Sequence, residues 1–154
     1  MHLDGARLFE AFASGAGSLA DYRTLFDTVA LDFSKDLGAP MGAMLLGNEA
    51  LIAQALRIRK SIGEGTRQAG ALSAAAQVAV DEHFGTGAWG STTARLRAVH
   101  EKAKAVARMW EDKRGKLQKP VQTNQVWMDL EALGVSAGRM KSGGREEGFV
   151  VGWT

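Results

Sequence analysis

Thr28-Val29-Ala30-Leu31-Asp32-Phe33-Ser34-Lys35-Asp36-Leu37-Gly38-Ala39-Pro40-Met41-Gly42-Ala43-Met44-Leu45-Leu46-Gly47 runs from a β-branched and aromatic stretch, through a turn built on Gly38-Ala39-Pro40, into a second apolar stretch. The first stretch predicts a strand over 28–33. Residues 41–47 read as a second, buried strand whose glycines allow close backbone packing. The unit is therefore strand, turn, strand, with Lys35 at the end of the first strand. A lysine there has two readings. Desolvation frees its amine to attack a carbonyl and form a Schiff base. Alternatively, it is a loop lysine pointing into water.

Working outward, Asn48 is a good N-cap and Glu49 suits the positive end of a helix dipole. Leu51, Ala55, Ile58 and Ile62 follow at helical spacing. Arg57, Arg59 and Lys60 occupy the last turn, and Gly63-Glu64-Gly65 ends the helix. Thr66 is placed to cap an alanine-rich helix carrying Ala69, Leu72, Ala76, Ala79 and Val80 and closing at Phe84-Gly85. On the N-terminal side, residues 8–21 predict a short helix and then a loop. Beyond, Leu96, Val99, Ala103, Val106 and Trp110 give the apolar stripe of a helix over 92–116, stopped by Pro120. Residues 122–130 read as a strand, 131–141 as a short helix or loop, and Phe149-Val150-Val151 as the start of another strand.

The composition excludes several classes. At 154 residues, 45% hydrophobic and 23% charged, the chain is an ordinary globular one rather than a disordered one. It has no cysteine, which removes disulfides, thiolate nucleophiles and cysteine-bound metals. No apolar run approaches a membrane span, and no signal peptide is visible, so the expectation is a cytoplasmic protein without membrane partners. The formal charge is only +2. Residues 95–119 do carry nine cations against three carboxylates. They are spread around the helix without stacking aromatics, so a solvated face is expected and no nucleic-acid partner. His2, His83 and His100 have no metal-like spacing; His83 suits a helix end and His100 reads as solvated. No metal site is expected. Nineteen glycines against two prolines suggest tight turns and close backbone approach, as around a cofactor.

Asp4-Gly5-Ala6-Arg7 is the remaining constellation. An aspartate at a strand end can hold a pyridinium nitrogen protonated, and small residues beside it admit a flat ring. An arginine can grip a carboxylate with two parallel hydrogen bonds. The plain alternative is a surface ion pair of little energetic weight.

Taken together, His2-Leu3-Asp4-Gly5-Ala6-Arg7-Leu8-Phe9, Phe26-Asp27-Thr28-Val29, Ser34-Lys35-Asp36-Leu37-Gly38-Ala39-Pro40-Met41-Gly42 and Arg57-Ile58-Arg59-Lys60 through Arg67-Gln68-Ala69-Gly70 resemble the low-specificity L-threonine aldolases, pyridoxal-phosphate enzymes of the aspartate aminotransferase fold type. The resemblance runs over nearly the whole chain and is most specific from 2 to 70. It implies an α/β fold. Residues 1–90 would form the later part of the large cofactor-binding domain, with a mixed sheet and helices. Residues 91–154 would be a linking helix and the start of a small α+β domain. It implies pyridoxal 5'-phosphate as cofactor, Lys35 as the Schiff-base lysine, Asp4 on the ring nitrogen and Arg7 on the substrate carboxylate. Arg67 would be a further cofactor contact and Lys60 a substrate contact; for both, helix-end charge is the alternative. The implied reaction is retro-aldol cleavage of β-hydroxy amino acids, threonine to glycine and acetaldehyde, by a homo-oligomer, dimer or tetramer.

The chain departs from the family pattern at Asp36, where glycine is common, and an extra carboxylate near the Schiff base would favour a charged lysine. No segment matches the family's N-terminal half, with its glycine-rich phosphate loop and ring-stacking histidine. The abrupt ends therefore predict a partial chain. Two alternatives remain open at this point: a catalytically incompetent fragment that pairs with a full-length homologue, and a pyridoxal-phosphate β-eliminating lyase.

Overall fold

A computed structural model describes residues 1–84 and 93–147. The chain forms two compact units, Met1–Ala98 and Val99–Thr154. The expected domain boundary at residue 90 and the strand expected from Phe149 lie outside the described residues.

The first unit is built on a three-stranded mixed sheet in the order β1 (His2–Gly5), β2 (Thr28–Asp32), β3 (Ala43–Gly47). β1 runs parallel to β2, with Asp4 opposite Ala30 and Gly5 opposite Leu31. β3 runs antiparallel to β2, with Asp32 opposite Ala43. In central β2, buried Val29 and Leu31 alternate with half-buried Thr28, Ala30 and Asp32, as one covered face of a pleated strand requires.

The parallel crossover is made by α1 (Leu8–Ser14) and α2 (Leu19–Leu25). α1 buries Leu8, Phe9 and Ala13 and ends at Gly15, whose φ of 87° closes the last turn. The Ala13 carbonyl, left open at the helix end, accepts a hydrogen bond from Arg97 Nε at 3.0 Å. The loop expected after α1 holds over 15–18, and α2 begins inside the end of that stretch, at Leu19, where Ser18 and Asp21 cap it reciprocally.

The core of this unit joins Leu8, Phe9, Ala13, Val29, Leu31, Phe33, Leu37, Ala39, Ala79 and Leu96. Phe9 is its hub, with ring centroids 5.3 Å from Phe84, 6.1 Å from Phe12 and 6.3 Å from Phe33.

β3 forms where expected but is not buried. It is an edge of the sheet, and all five of its residues are exposed. Its apolar sequence says what a strand prefers to bury, not whether anything lies over it. α3 (Glu49–Ser61) follows, its N-terminus capped by Asn48, which accepts from the Leu51 N–H. Its Leu51, Leu56 and Ile58 are exposed as well. α4 (Gly70–Phe84) begins at Gly70 rather than after Thr66, so Thr66 caps nothing. His83 is buried near its end, with Nδ1 2.8 Å from the Ala79 carbonyl. It lies in the last turn, as its place at the helix end suggested.

α5 (Ala94–Asp112) runs on into the second unit. Its buried positions are Leu96, His100, Ala103 and Ala107, while Val99 and Val106 are exposed. Leu96 and Ala103 of the predicted stripe are thus covered, Val99 and Val106 are not, and His100 is buried rather than solvated.

α5 also stops well before Pro120. Arg114 turns into the left-handed region at φ 65°, and Trp110 folds over Gly115, donating from Nε1 to the Lys116 carbonyl at 2.9 Å. A Cβ at residue 115 would lie 2.3 Å from that nitrogen, so only glycine fits. β4 (Lys116–Leu117) and β5 (Met128–Asp129) pair antiparallel, and β5 is all that forms of the strand expected over 122–130. The Lys119 ammonium lies 3.7 Å from the Trp127 ring centroid. A 3-10 turn (Glu131–Leu133) and α6 (Ala137–Glu146), capped by Ser136, complete the described residues.

At Gly5, an added Cβ would meet the Ala30 carbonyl oxygen at 2.3 Å. The obstacle is backbone of the neighbouring strand and cannot rotate away. Gly5→Ala is expected to destabilise the first unit by about 1–3 kcal/mol, as overpacking does. Urea unfolding of the two proteins checks this, and an unchanged midpoint would count against the close β1–β2 approach.

Candidate active site

Because β1 and β2 are parallel neighbours, the turns leaving their carboxyl ends emerge on the same edge of the sheet. Ligands of open α/β sheets bind outside the carboxyl ends of the strands. The first of these turns is Asp4-Gly5-Ala6-Arg7. Asp4 Oδ1 accepts from the Ala6 N–H at 3.1 Å, an Asx turn that bends the chain toward α1. Asp4 itself is exposed.

The second turn carries Lys35. Asp32, the last residue of β2, accepts from the Ser34 N–H at 2.8 Å and the Ser34 hydroxyl at 2.6 Å, both through Oδ1. Its other oxygen lies 3.1 Å from Lys35 Nζ. Buried Phe33, Leu37 and Ala39 anchor the loop from below, and the Ala39 N–H donates to the Phe33 carbonyl at 3.0 Å. Gly38, at φ 74°, and Gly42, at φ 128°, supply the left-handed backbone that returns the chain into β3. Lys35 is left half exposed above this base.

One interaction ties the two turns together. Arg7 Nη1 donates to Asp36 Oδ1 at 3.0 Å. The Asp36 side chain is 1% exposed and that of Arg7 40%, so the carboxylate is interior and the guanidinium reaches outward from it. Asp36 Oδ2 is buried and has no hydrogen-bond partner among the described residues.

These environments separate the two carboxylates of the loop. Asp32 is pulled down to about 2, chiefly by the Ser34 hydroxyl, with the Ser34 N–H and Lys35 adding to it against the cost of burial. Asp36 is pushed up to about 6, first by burial and then by the nearby negative charge of buried Glu10. Arg7 opposes the rise and Asp32 adds to it.

The expectation that Asp36 would sit against the Lys35 amine is corrected: Asp36 serves Arg7, and the carboxylate on Lys35 is Asp32. Sequence reading passed over Asp32 because it took that residue as part of a strand. Its signal was present in Asp32-x-Ser34-Lys35, an aspartate two residues before a serine that it can cap and three before a lysine. Glu10 gave no such signal, since nothing in its helix marks it as interior. Lys60, in the last turn of α3, and Arg67, between α3 and α4, are exposed. No side-chain hydrogen bond or ion pair among the described residues joins either of them to Lys35, Arg7 or Asp4. Nor do the described residues contain a cluster of three or more His, Asp or Glu able to hold a metal ion.

The two shifted carboxylates give opposite pH responses. An Asp36 raised to about 6 in the fold binds its proton more tightly there than in the unfolded chain, against the ordinary 3.8. Its contribution to stability is full below about pH 4 and is lost as pH rises through about 6. Asp36→Asn should therefore gain stability relative to the parent between pH 4 and 7, read as diverging urea midpoints; parallel curves would refute it. Asp32, lowered to about 2, contributes above about pH 4 and loses that contribution as pH falls toward 2.

Comparison with known proteins identifies the family. Residues 1–133 match the Beta-eliminating lyase family. The chain is 51% identical over 150 residues to "Alanine racemase TOXG" of Cochliobolus carbonum, covering 97% of this chain and 38% of that protein. It is 51% identical to "Aldolase vrtJ" of Penicillium aethiopicum, covering 97% and 37%. With the "Low-specificity L-threonine aldolase" of Candida albicans it shares 37% identity, covering 94% and 36%. A solved putative L-allo-threonine aldolase from Listeria monocytogenes superposes with a TM-score of 0.65 at 27% identity, over 80% of this chain and 32% of that one. The chain thus spans less than two-fifths of the length of these relatives. With a mixed α/β sheet of this topology and a family match over most of its residues, the chain belongs to the β-eliminating lyase family.

Proposed function

We propose that this chain supplies the lysine- and arginine-bearing part of a pyridoxal-phosphate lyase that cleaves β-hydroxy amino acids, threonine to glycine and acetaldehyde. The observation that carries the reading is the Arg7–Asp36 hydrogen bond. It joins the turn after β1 to the lysine loop after β2, so that an amine, a guanidinium and the Asp4 carboxylate leave the carboxyl ends of two adjacent parallel strands.

The donor chemistry suits the cofactor. Lys35 offers a half-exposed amine, Asp4 keeps Oδ2 out of its turn hydrogen bond, and Arg7 reaches outward from a buried anchor. When bound, pyridoxal phosphate supplies the electron sink that lets a bond beside the substrate nitrogen break. Lys35 would leave Asp32 to bond the cofactor aldehyde. Asp4 would hold the proton on the ring nitrogen. Arg7 would pair with the substrate carboxylate and so turn the amino acid to present the bond to be broken. Arg67 toward the cofactor and Lys60 toward the substrate belong to the same proposal on the strength of the family pattern. So do a homo-oligomeric state and a cytoplasmic location, which light scattering and cell fractionation would read.

A second reading, racemisation of alanine, is favoured by one observation: TOXG and vrtJ match this chain at the same 51% identity. Both reactions need the same lysine and ring-nitrogen contact, so these residues do not separate them.

The test is product analysis of the full-length protein supplied with pyridoxal phosphate. Acetaldehyde and glycine should appear in equal amounts from threonine or allo-threonine, followed by coupled reduction of the aldehyde. Lys35→Ala should lower the rate by a factor of about a thousand or more. D-alanine from L-alanine without acetaldehyde would establish the second reading in place of the first. Pyruvate and ammonia from serine as the sole products would establish β-elimination.

A further inference from the structure

We propose that Asp36 is a positioning residue for Arg7, fixing one nitrogen of its guanidinium so that the remaining donors face an incoming substrate carboxylate. This rests on the reading of Arg7 as the carboxylate grip and adds to it a residue that the family resemblance does not assign.

Four features of the site carry it. First, Asp36 holds Arg7 through Nη1 alone, which leaves Nε and Nη2 of the planar fork uncommitted to it. Second, the holder is interior and the held group half exposed, the arrangement expected of an anchor and a reaching hand rather than of a surface pair. Third, Asp36 Oδ2 is buried without a partner among the described residues, a cost accepted at a position between exposed Lys35 and buried Leu37. Fourth, Asp36 is next in sequence to Lys35, so the same loop sets the place of the guanidinium and of the amine.

The groups facing Asp36 are Arg7 from the turn after β1, Glu10 from α1, and Asp32 at the end of β2. Asp32 is already engaged by Ser34 and Lys35, and the hydrogen bond to Arg7 comes from Asp36. A carboxylate that only neutralised Arg7 would compete with substrate, and its removal would tighten binding. A positioning carboxylate has the opposite signature.

The experiment compares the full-length, cofactor-loaded protein with Asp36→Ala, Asp36→Asn and Arg7→Ala. Binding of L-threonine and of L-threoninamide, which lacks the carboxylate, is followed through the cofactor absorbance. Asp36→Ala should weaken L-threonine by about tenfold or more while leaving the amide within about twofold. Asp36→Asn, which keeps an oxygen for Nη1, should restore most of the loss. Tighter L-threonine binding in Asp36→Ala, or equal loss for both ligands, overturns the proposal.

Arg7→Ala separates the two levels of argument. If it leaves the preference for the acid over the amide unchanged, the reading of Arg7 itself fails, and the proposal with it. A readout without ligand comes from nitrogen NMR. The Arg7 Nη signals should be resolved in the parent and in Asp36→Asn, and averaged by rotation in Asp36→Ala.

Should Asp36→Ala not fold, Asp36→Leu takes its place, since it keeps the volume of the side chain and offers Nη1 no oxygen. It should show the same selective loss of L-threonine over the amide, and equal loss for both ligands overturns the proposal.

Discussion

The parallel pairing of β1 with β2 is the constraint on which the rest depends. It places Gly5 against the Ala30 carbonyl, where a side chain has no room, and so brings two turns distant in sequence to one edge of the sheet. Everything chemical in the first unit follows from that neighbourhood. Arg7 can reach Asp36 only because the strands before them end side by side. The aromatic cluster around Phe9 then holds α1, and with it Arg7, over the same edge.

The electrostatics of the lysine loop show how a few ångströms separate like groups. Asp32 and Asp36 are four residues apart and each meets one cation, yet their environments push them in opposite directions. Asp32 is wrapped by a hydroxyl and a backbone N–H that reward its charge. Asp36 is buried with one bare oxygen beside another carboxylate. The first stays ionised across the ordinary pH range, and the second changes state within it. Lys35 stands between them in sequence but makes its ion pair with the first alone.

Much of this was legible in the sequence, and the failures have physical causes. The run 28–47 led to two strands and a lysine turn because β-branched content and a Gly-Pro turn act locally. Asn48 as a cap was equally local, and the structure has it so. What was missed depends on neighbours that no window contains. The exposure of β3 is set by what covers it, the exposure of Val99 and Val106 on α5 likewise, and the short β5 by where β4 ends. α2 was missed although Ser18 and Asp21 announced it, since the small residues around them weighed toward a loop. At the site, the place of Lys35 after its strand was readable from pattern, whereas Asp4 and Arg7 stood out through the family resemblance and β1, which carries Asp4, was not anticipated. The exchange of roles between Asp32 and Asp36 was not readable, because both lie within reach of Lys35 in sequence and only the direction of each side chain tells them apart.

β3 joins these themes at a different scale. Ala43–Gly47 closes the lysine loop by pairing with β2, and its other edge and its Met44, Leu45 and Leu46 side chains are open to solvent. Such an edge offers unpaired amide and carbonyl groups to any other strand that approaches. The segment that closes the loop of Lys35 therefore also presents the rim at which a further strand would pair. A single lysine placed along that rim would oppose such pairing without touching the residues that surround the amine.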